Sequence, residues 1–145
     1  MRLWSQQLIP YLDRQRLLGQ HRELCALRGK GWGKKHSVVD YVFTYEPIKL
    51  IAYHFLIMDE MEKRGYHPDP IWRATNWRGE AVGREKDNAW NCEVELSKYI
   101  QKIKAANEII YKEHNSDYLR DCIENLESKK INTIEMRKLL NETED

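Results

Sequence analysis

Apolar residues three and four positions apart recur along most of this 145-residue chain, the spacing of one helix face rather than of a strand. After Pro10, the residues Leu17, Leu18, His21, Leu24 and Cys25 predict a first helix. Arg16, Gly19, Gln20, Glu23 and Ala26 fall on its other side, and Gly29, Gly31 and Gly33 end it. Pro47 suits the first position of a second helix, with Ile51, Phe55, Met58 and Met61 facing the core and Gly65 as a stop after Lys63 and Arg64. Leu96, Tyr99, Ile103, Ala106 and Ile110 form the stripe of a third. Asn115 caps a fourth that buries Leu119, Cys122, Ile123 and Leu126. Asn132 with Glu135 resembles a capping box before a short last helix around Met136, Leu139 and Leu140.

Between these segments, Val38 to Thr44 is β-branched and aromatic but has no partner strand, so an extended loop is expected there. Residues 66–90 hold Pro68, Pro70, Gly79 and Gly83 and are expected to form a long irregular connection, of a length often used for function. The chain therefore reads as one all-α domain over residues 1–145. It is an irregular bundle of three to five helices, with a long loop between the second and third and a frayed tail over residues 141–145.

Charge divides the chain unevenly. Residues 1–36 carry eight Lys or Arg against two acids, although the whole chain comes to only +1. The loop Arg28-Gly29-Lys30-Gly31-Trp32-Gly33-Lys34-Lys35-His36 joins cations to glycines and an aromatic, a combination suited to phosphate contact. It is not a nucleotide P-loop, because three residues rather than four separate Gly29 from Gly33-Lys34 and no Ser or Thr follows the lysine. Glu23 sits inside this positive field, directly after Arg22. Its bland reading is a surface carboxylate in an i,i+4 network. Two features oppose that: Gly19 one turn earlier, at a cost of about 1 kcal/mol in a helix, and the repulsion a carboxylate would exert on a phosphate backbone.

The run Asp13-Arg14-Gln15-Arg16-Leu17-Leu18-Gly19-Gln20-His21-Arg22-Glu23-Leu24 resembles the first helix of the pyrimidine-dimer DNA glycosylases of the phage endonuclease V type. The opening Met1-Arg2-Leu3 is similar to that family's mature start, and Lys63-Arg64-Gly65-Tyr66 to the end of its second helix. The resemblance covers the N-terminal half and implies an all-helical DNA glycosylase with AP-lyase activity on double-stranded damaged DNA. In that family the nucleophile is the α-amine of the first residue. This fits general chemistry, since an α-amine with a pKa near 8 keeps about a tenth of its population unprotonated at pH 7. By position, the resemblance makes Met1 the nucleophile and Glu23 the carboxylate that stabilises a cationic sugar or iminium. It makes Arg22 a substrate-positioning group and Arg2 a DNA contact.

Arg16, Arg28, Lys30, Trp32, Lys34 and Lys35 complete the expected DNA face, with His21 a candidate near the site. Two departures from the family stand out. The bulky Arg2 should prevent removal of Met1, and the family's aromatic-basic C-terminal stretch has no match. Trp72-Arg73 and Trp77-Arg78 could substitute by stacking on bases and binding phosphate, or could equally pin the long loop to the core.

Other chemistries find little support. Cys25, Cys92 and Cys122 are odd in number and widely spaced, which argues against disulfides and zinc knuckles, and the five histidines lack ligand spacing. No metal and no other cofactor is expected. Nor is a membrane span or a signal peptide, so a cytoplasmic monomer is expected. A non-catalytic nucleic-acid-binding module and a helical interaction protein using its acidic second half, net −3 over residues 81–145, stay open as alternatives.

Overall fold

The computed structural model describes residues 1–34 and 39–144. Lys35 and His36 of the basic loop, Val38 of the expected extended stretch, and Asp145 of the expected frayed tail lie outside the described residues. Among the described residues, five α-helices carry the fold: α1 (Arg14–Arg28), α2 (Pro47–Lys63), α3 (Glu93–Ala106), α4 (Ser116–Ser128) and α5 (Ile134–Glu144). Short 3-10 turns span Gln6–Tyr11, Asp40–Thr44, Pro70–Arg73 and Asn88–Trp90, so part of the expected extended loop is a 3-10 turn instead. The long connection after α2 is irregular apart from two of those turns and an isolated antiparallel bridge between Trp77 and Arg84. The protein is all-α, and no helix among the described residues is long and apolar enough to cross a membrane.

Helix α2 is the axis of the structure. It buries Leu50, Ile51, Ala52, Tyr53, His54, Ile57, Met58 and Met61, positions that go nearly all the way round a helix, as a central helix must. Helix α1 lies along it, α3 and the turn Asn88–Trp90 also touch it, and α4 packs on α5. One apolar cluster runs through all of them, from Leu3 to Leu140. Helix α4 buries Leu119, Cys122, Ile123 and Leu126, and the Asn115 side chain accepts from the Tyr118 amide at its start, both as the spacing predicts. Gly65 takes a left-handed φ of 87°, and the Tyr66 amide turns back to the Met61 carbonyl at 2.8 Å to close α2.

Three details depart from the periodicity. Helix α3 stops at Ala106 because Asn107 turns left-handed, so Ile110 is buried beyond the helix rather than on its stripe. Before α5, Asn132 accepts from the Ile134 amide while Glu135 pairs with Lys138, so no reciprocal box forms. The inward face of α1 is Leu17, Gln20, Leu24, Leu27 and Arg28, with Leu18, His21 and Cys25 only half-buried. Two polar side chains therefore sit where the pattern places none.

Arg28 is fully buried, contrary to its expected place on a DNA face. Its Nη1 donates to the carbonyl of Trp72 (2.9 Å) and to His54 Nδ1 (3.0 Å). Its Nη2 donates to the carbonyls of Ala74 (3.0 Å), Thr75 (3.3 Å) and Trp77 (3.3 Å). An irregular segment packed against a helix leaves carbonyls without backbone partners, and a guanidinium supplies several donors at once. Arg78 returns the contact, donating to the carbonyls of Arg28 (2.8 Å) and Gly29 (3.0 Å). Glycine is required at 29, because a Cβ there would stand 2.8 Å from the Arg78 carbonyl oxygen. Burial lowers the Arg28 pKa to about 10, which still leaves it charged at neutral pH. Arg28→Met should orphan these carbonyls and destabilise the protein by about 3 kcal/mol, roughly 10 °C in Tm. An unchanged melting temperature would mean that water satisfies them equally well.

Candidate active site

A cleft of about 500 Å³ opens between the start of the chain, α1 and the end of α4. Met1, Arg2 and Trp4 line it from the N-terminal arm, Gln15, Arg16, Gly19, Gln20, Arg22 and Glu23 from α1, and Asn125 and Lys129 from α4. The spacing on α1 explains its share: positions 15, 16, 19, 22 and 23 recur at three and four residues and face one way. Gly19 leaves that face bare, since a Cβ there would meet only the Arg22 guanidinium, at 3.9 Å. The volume lies within the roughly 300–1,000 Å³ of ligand clefts.

The arm reaches the cleft because side chains from three helices hold its backbone. Gln20 Oε1 accepts from the Trp4 amide at 2.8 Å, and Gln20 Nε2 donates to the Arg2 carbonyl at 3.0 Å. From α2, the Tyr53 hydroxyl donates to the Trp4 carbonyl at 2.5 Å. From α4, the Tyr118 hydroxyl donates to the Leu3 carbonyl. The Gln6 amide donates to His114 Nδ1 at 3.2 Å, so the proton of that imidazole lies on Nε2, facing the Tyr41 hydroxyl at 2.7 Å. Burial lowers the His114 pKa to about 4, keeping it neutral and able to accept. The Arg2 guanidinium adds a bond to Asp121 (3.1 Å) and lies 5.7 Å from the Trp4 ring centre.

Glu23 lies half-buried in this cleft, and Gln20 Nε2 donates to its Oε2 at 3.1 Å. Burial raises the carboxyl above its ordinary range, while the chain's α-amine, Arg22 and Gln20 pull it back. A carboxyl raised in this way keeps its proton to higher pH than a free one, the direction that general acid–base chemistry uses. The cations lining the cleft differ in freedom. Arg16 pairs with Asp13 at 3.4 Å, Lys129 donates to Asn125 Oδ1 at 2.5 Å, and Arg22 is exposed.

The family model for pyrimidine dimer DNA glycosylases matches residues 1–74, which include the arm, α1 and α2. The chain belongs to that family. No curated protein and no solved structure matches it. The family points to excision of pyrimidine dimers in general, with damaged DNA as the substrate. Its matched segment supplies every cleft residue except Asn125 and Lys129, which α4 contributes.

Of the residues expected at the site, Met1, Glu23, Arg2, Arg16 and Arg22 come together in the cleft; Lys35 lies outside the described residues, and the remaining ones lie elsewhere. Lys30 and Lys34 are exposed on the loop after α1. Two of the glycine amides there are already used: Gly29 donates to the Cys25 carbonyl at 3.0 Å, and Gly31 to that of Ala26 at 2.9 Å. Trp32 packs edge-on against Phe43 and Trp90. Trp72 lies against His54 and Arg28, and Trp72 and Trp77 meet edge to face. Arg73 pairs with Asp59 (2.9 Å) and Glu62 (2.7 Å), and Arg78 with Glu85 (2.8 Å). In this structure both tryptophan–arginine pairs fasten the long loop to the core. Trp4, Gln15, Gln20, Asn125 and Lys129 line the cleft without having been among the expected site residues.

His21, Cys25 and His54 form a group whose ligand atoms lie within 4.8 Å of one another. Their polarity opposes a metal. His54 Nδ1 accepts from Arg28, so its Nε2 carries the proton and donates to His21 Nδ1 at 2.8 Å. That nitrogen pair is also closer than the roughly 3.3 Å between two nitrogens on a tetrahedral zinc.

A carboxyl whose folded pKa is raised binds protons more readily when folded, so stability falls as pH rises through that interval. Glu23→Gln should therefore raise Tm at pH 7. The gain should shrink as pH falls through the carboxylate range and vanish below the ordinary glutamate value. A gain independent of pH, measured by thermal melts from pH 3 to 8, would show that the charge of Glu23 is not the cause.

Proposed function

We propose that the protein removes cyclobutane pyrimidine dimers from duplex DNA and nicks the strand, with the α-amine of Met1 as nucleophile and Glu23 as its partner. The observation that carries this reading is the fixing of the chain's first residues beside a half-buried carboxylate, in one cleft rimmed by cations.

The chemistry follows in two stages. The unprotonated amine attacks C1′ of the damaged nucleotide; the nitrogen–carbon bond forms as the glycosidic bond breaks, and the electron pair leaves with the base, which takes up a proton. Opening of the sugar ring, with a proton delivered to its oxygen, gives an iminium. Glu23 balances the positive charge that develops on the sugar and takes the proton the amine gives up. Loss of a C2′ proton then expels the 3′ phosphate, with its electron pair, by β-elimination. Arg16, Arg22 and Lys129 hold backbone phosphates beside the lesion. Arg2, tied to Asp121, steadies the arm as well as adding charge. Lys30, Lys34 and Lys35 add sequence-independent attraction from the loop after α1.

Acetylation of the chain terminus, on protein whose intact mass shows a free Met1, removes the nucleophile, and Glu23→Gln removes the carboxylate. Each should lower cleavage of dimer-containing DNA by at least about a hundredfold while duplex affinity changes only a few-fold. Full cleavage by the acetylated protein would contradict the amine mechanism. Full turnover by Glu23→Gln would remove the carboxylate from it.

A further inference from the structure

Gln20 is 1% exposed on a helix whose periodicity places it among polar surface residues, and its amide makes four hydrogen bonds. The Trp4 amide can only donate and the Arg2 carbonyl can only accept, so the two ends of the Gln20 amide are assigned without ambiguity. Oε1 accepts from Trp4 and, at 3.1 Å, from the Tyr53 hydroxyl. Nε2 donates one hydrogen to Arg2 and the other to Glu23 Oε2, at 3.1 Å. Both lone pairs and both hydrogens are used. A carboxylate would lack the donors, a lysine the acceptors, and an asparagine would be one carbon too short.

We propose that Gln20 is a positioning residue, a single buried amide that sets the start of the chain and the Glu23 carboxylate in register for reaction. The proposal rests on the reading of Met1 and Glu23 as the reacting pair. Two residues of chain separate the Met1 amine from the nearest bond that Gln20 makes, at the Arg2 carbonyl, so the amide limits where the amine can swing. The same Nε2 fixes which oxygen of Glu23 points into the cleft. Because only neutral hydrogen bonds are used, Gln20 orders the pair without adding charge to a site that already holds the α-amine, Arg2, Arg16, Arg22 and Lys129 around Glu23. The half of the amide facing Trp4 and Tyr53 anchors the fold, and the half facing Arg2 and Glu23 sets the reacting groups.

Two variants separate those halves. Gln20→Met removes all four bonds at nearly constant volume. Gln20→Glu keeps the two acceptor bonds and loses the two donors. Single-turnover cleavage of dimer-containing DNA should fall roughly tenfold to a hundredfold in both, with kcat reduced and KM within about threefold. The acidic limb of the pH–rate profile should also move to higher pH, because Glu23 loses a donor that favours its charged form. The move should be larger in Gln20→Glu, where a second carboxylate faces the first. If Gln20→Met fails to fold, Gln20→Glu decides alone through its acidic limb.

Variants that fold, with kcat and the acidic limb unchanged, would overturn the positioning role. So would a loss confined to Tm and KM. Wild-type activity that survives N-terminal acetylation would overturn the underlying mechanism and this role with it. Activity lost on acetylation but indifferent to both Gln20 variants would overturn this role alone.

Discussion

An irregular chain segment buried among helices must find hydrogen-bond partners for its backbone, because the helices have already used their own. The N-terminal arm solves this with side chains. Gln20 from α1, Tyr53 from α2 and Tyr118 from α4 meet its carbonyls and amides in succession, and His114 takes the next amide. Each of these groups is held in one hydrogen-bonding form. Burial keeps the Tyr53 phenol protonated, and His114 stays neutral. A chain end would ordinarily fray. Here the last backbone group to be tied down belongs to Arg2, which leaves only Met1 projecting into the cleft.

The same device recurs about two turns further along the inward face of α1. Arg28 gathers the carbonyls of the long connection as Gln20 gathers those of the arm. Helix α1 thus carries two buried polar side chains eight residues apart, each turned toward a different irregular segment. One secures the scaffold and the other reaches the site. Between them, the helix presents the exposed Arg22 and the half-buried Glu23 to the cleft. Of the described cations in the basic N-terminal region, Arg2, Arg16 and Arg22 line the cleft, while Lys30 and Lys34 lie on the loop beyond Gly29.

Much of this was legible in the sequence where local chemistry decides. Pro47, Gly65 and Asn115 mark helix ends because their backbone or side-chain preferences act within a few residues. The stripe of α4 is correct because its four residues are all buried on one side of a regular helix, at the three- and four-residue spacing. Arg-Glu on a helix near the chain start led to the cleft. Arg28 and Gln20 were misplaced because their partners lie in irregular segments, whose path no periodicity encodes: residues 72–77 for Arg28 and residues 2–4 for Gln20. Asn125 and Lys129 were missed for a related reason. They belong to the acidic half of the chain, and only the packing of α4 beside the arm brings them to α1. Trp72 looks the same in sequence whether it stacks on a base or on His54 and Arg28.

The central claim is that the first amine of the chain, held beside Glu23, forms the covalent bond to the sugar. Borohydride added during reaction with dimer-containing duplex DNA tests it directly, by reducing an iminium to a stable protein–DNA adduct whose attachment point is read by peptide mapping. The expected result is an adduct on the α-nitrogen of Met1. An adduct on Lys30, Lys34 or Lys129, or cleavage that proceeds with no trapped adduct at all, would contradict it.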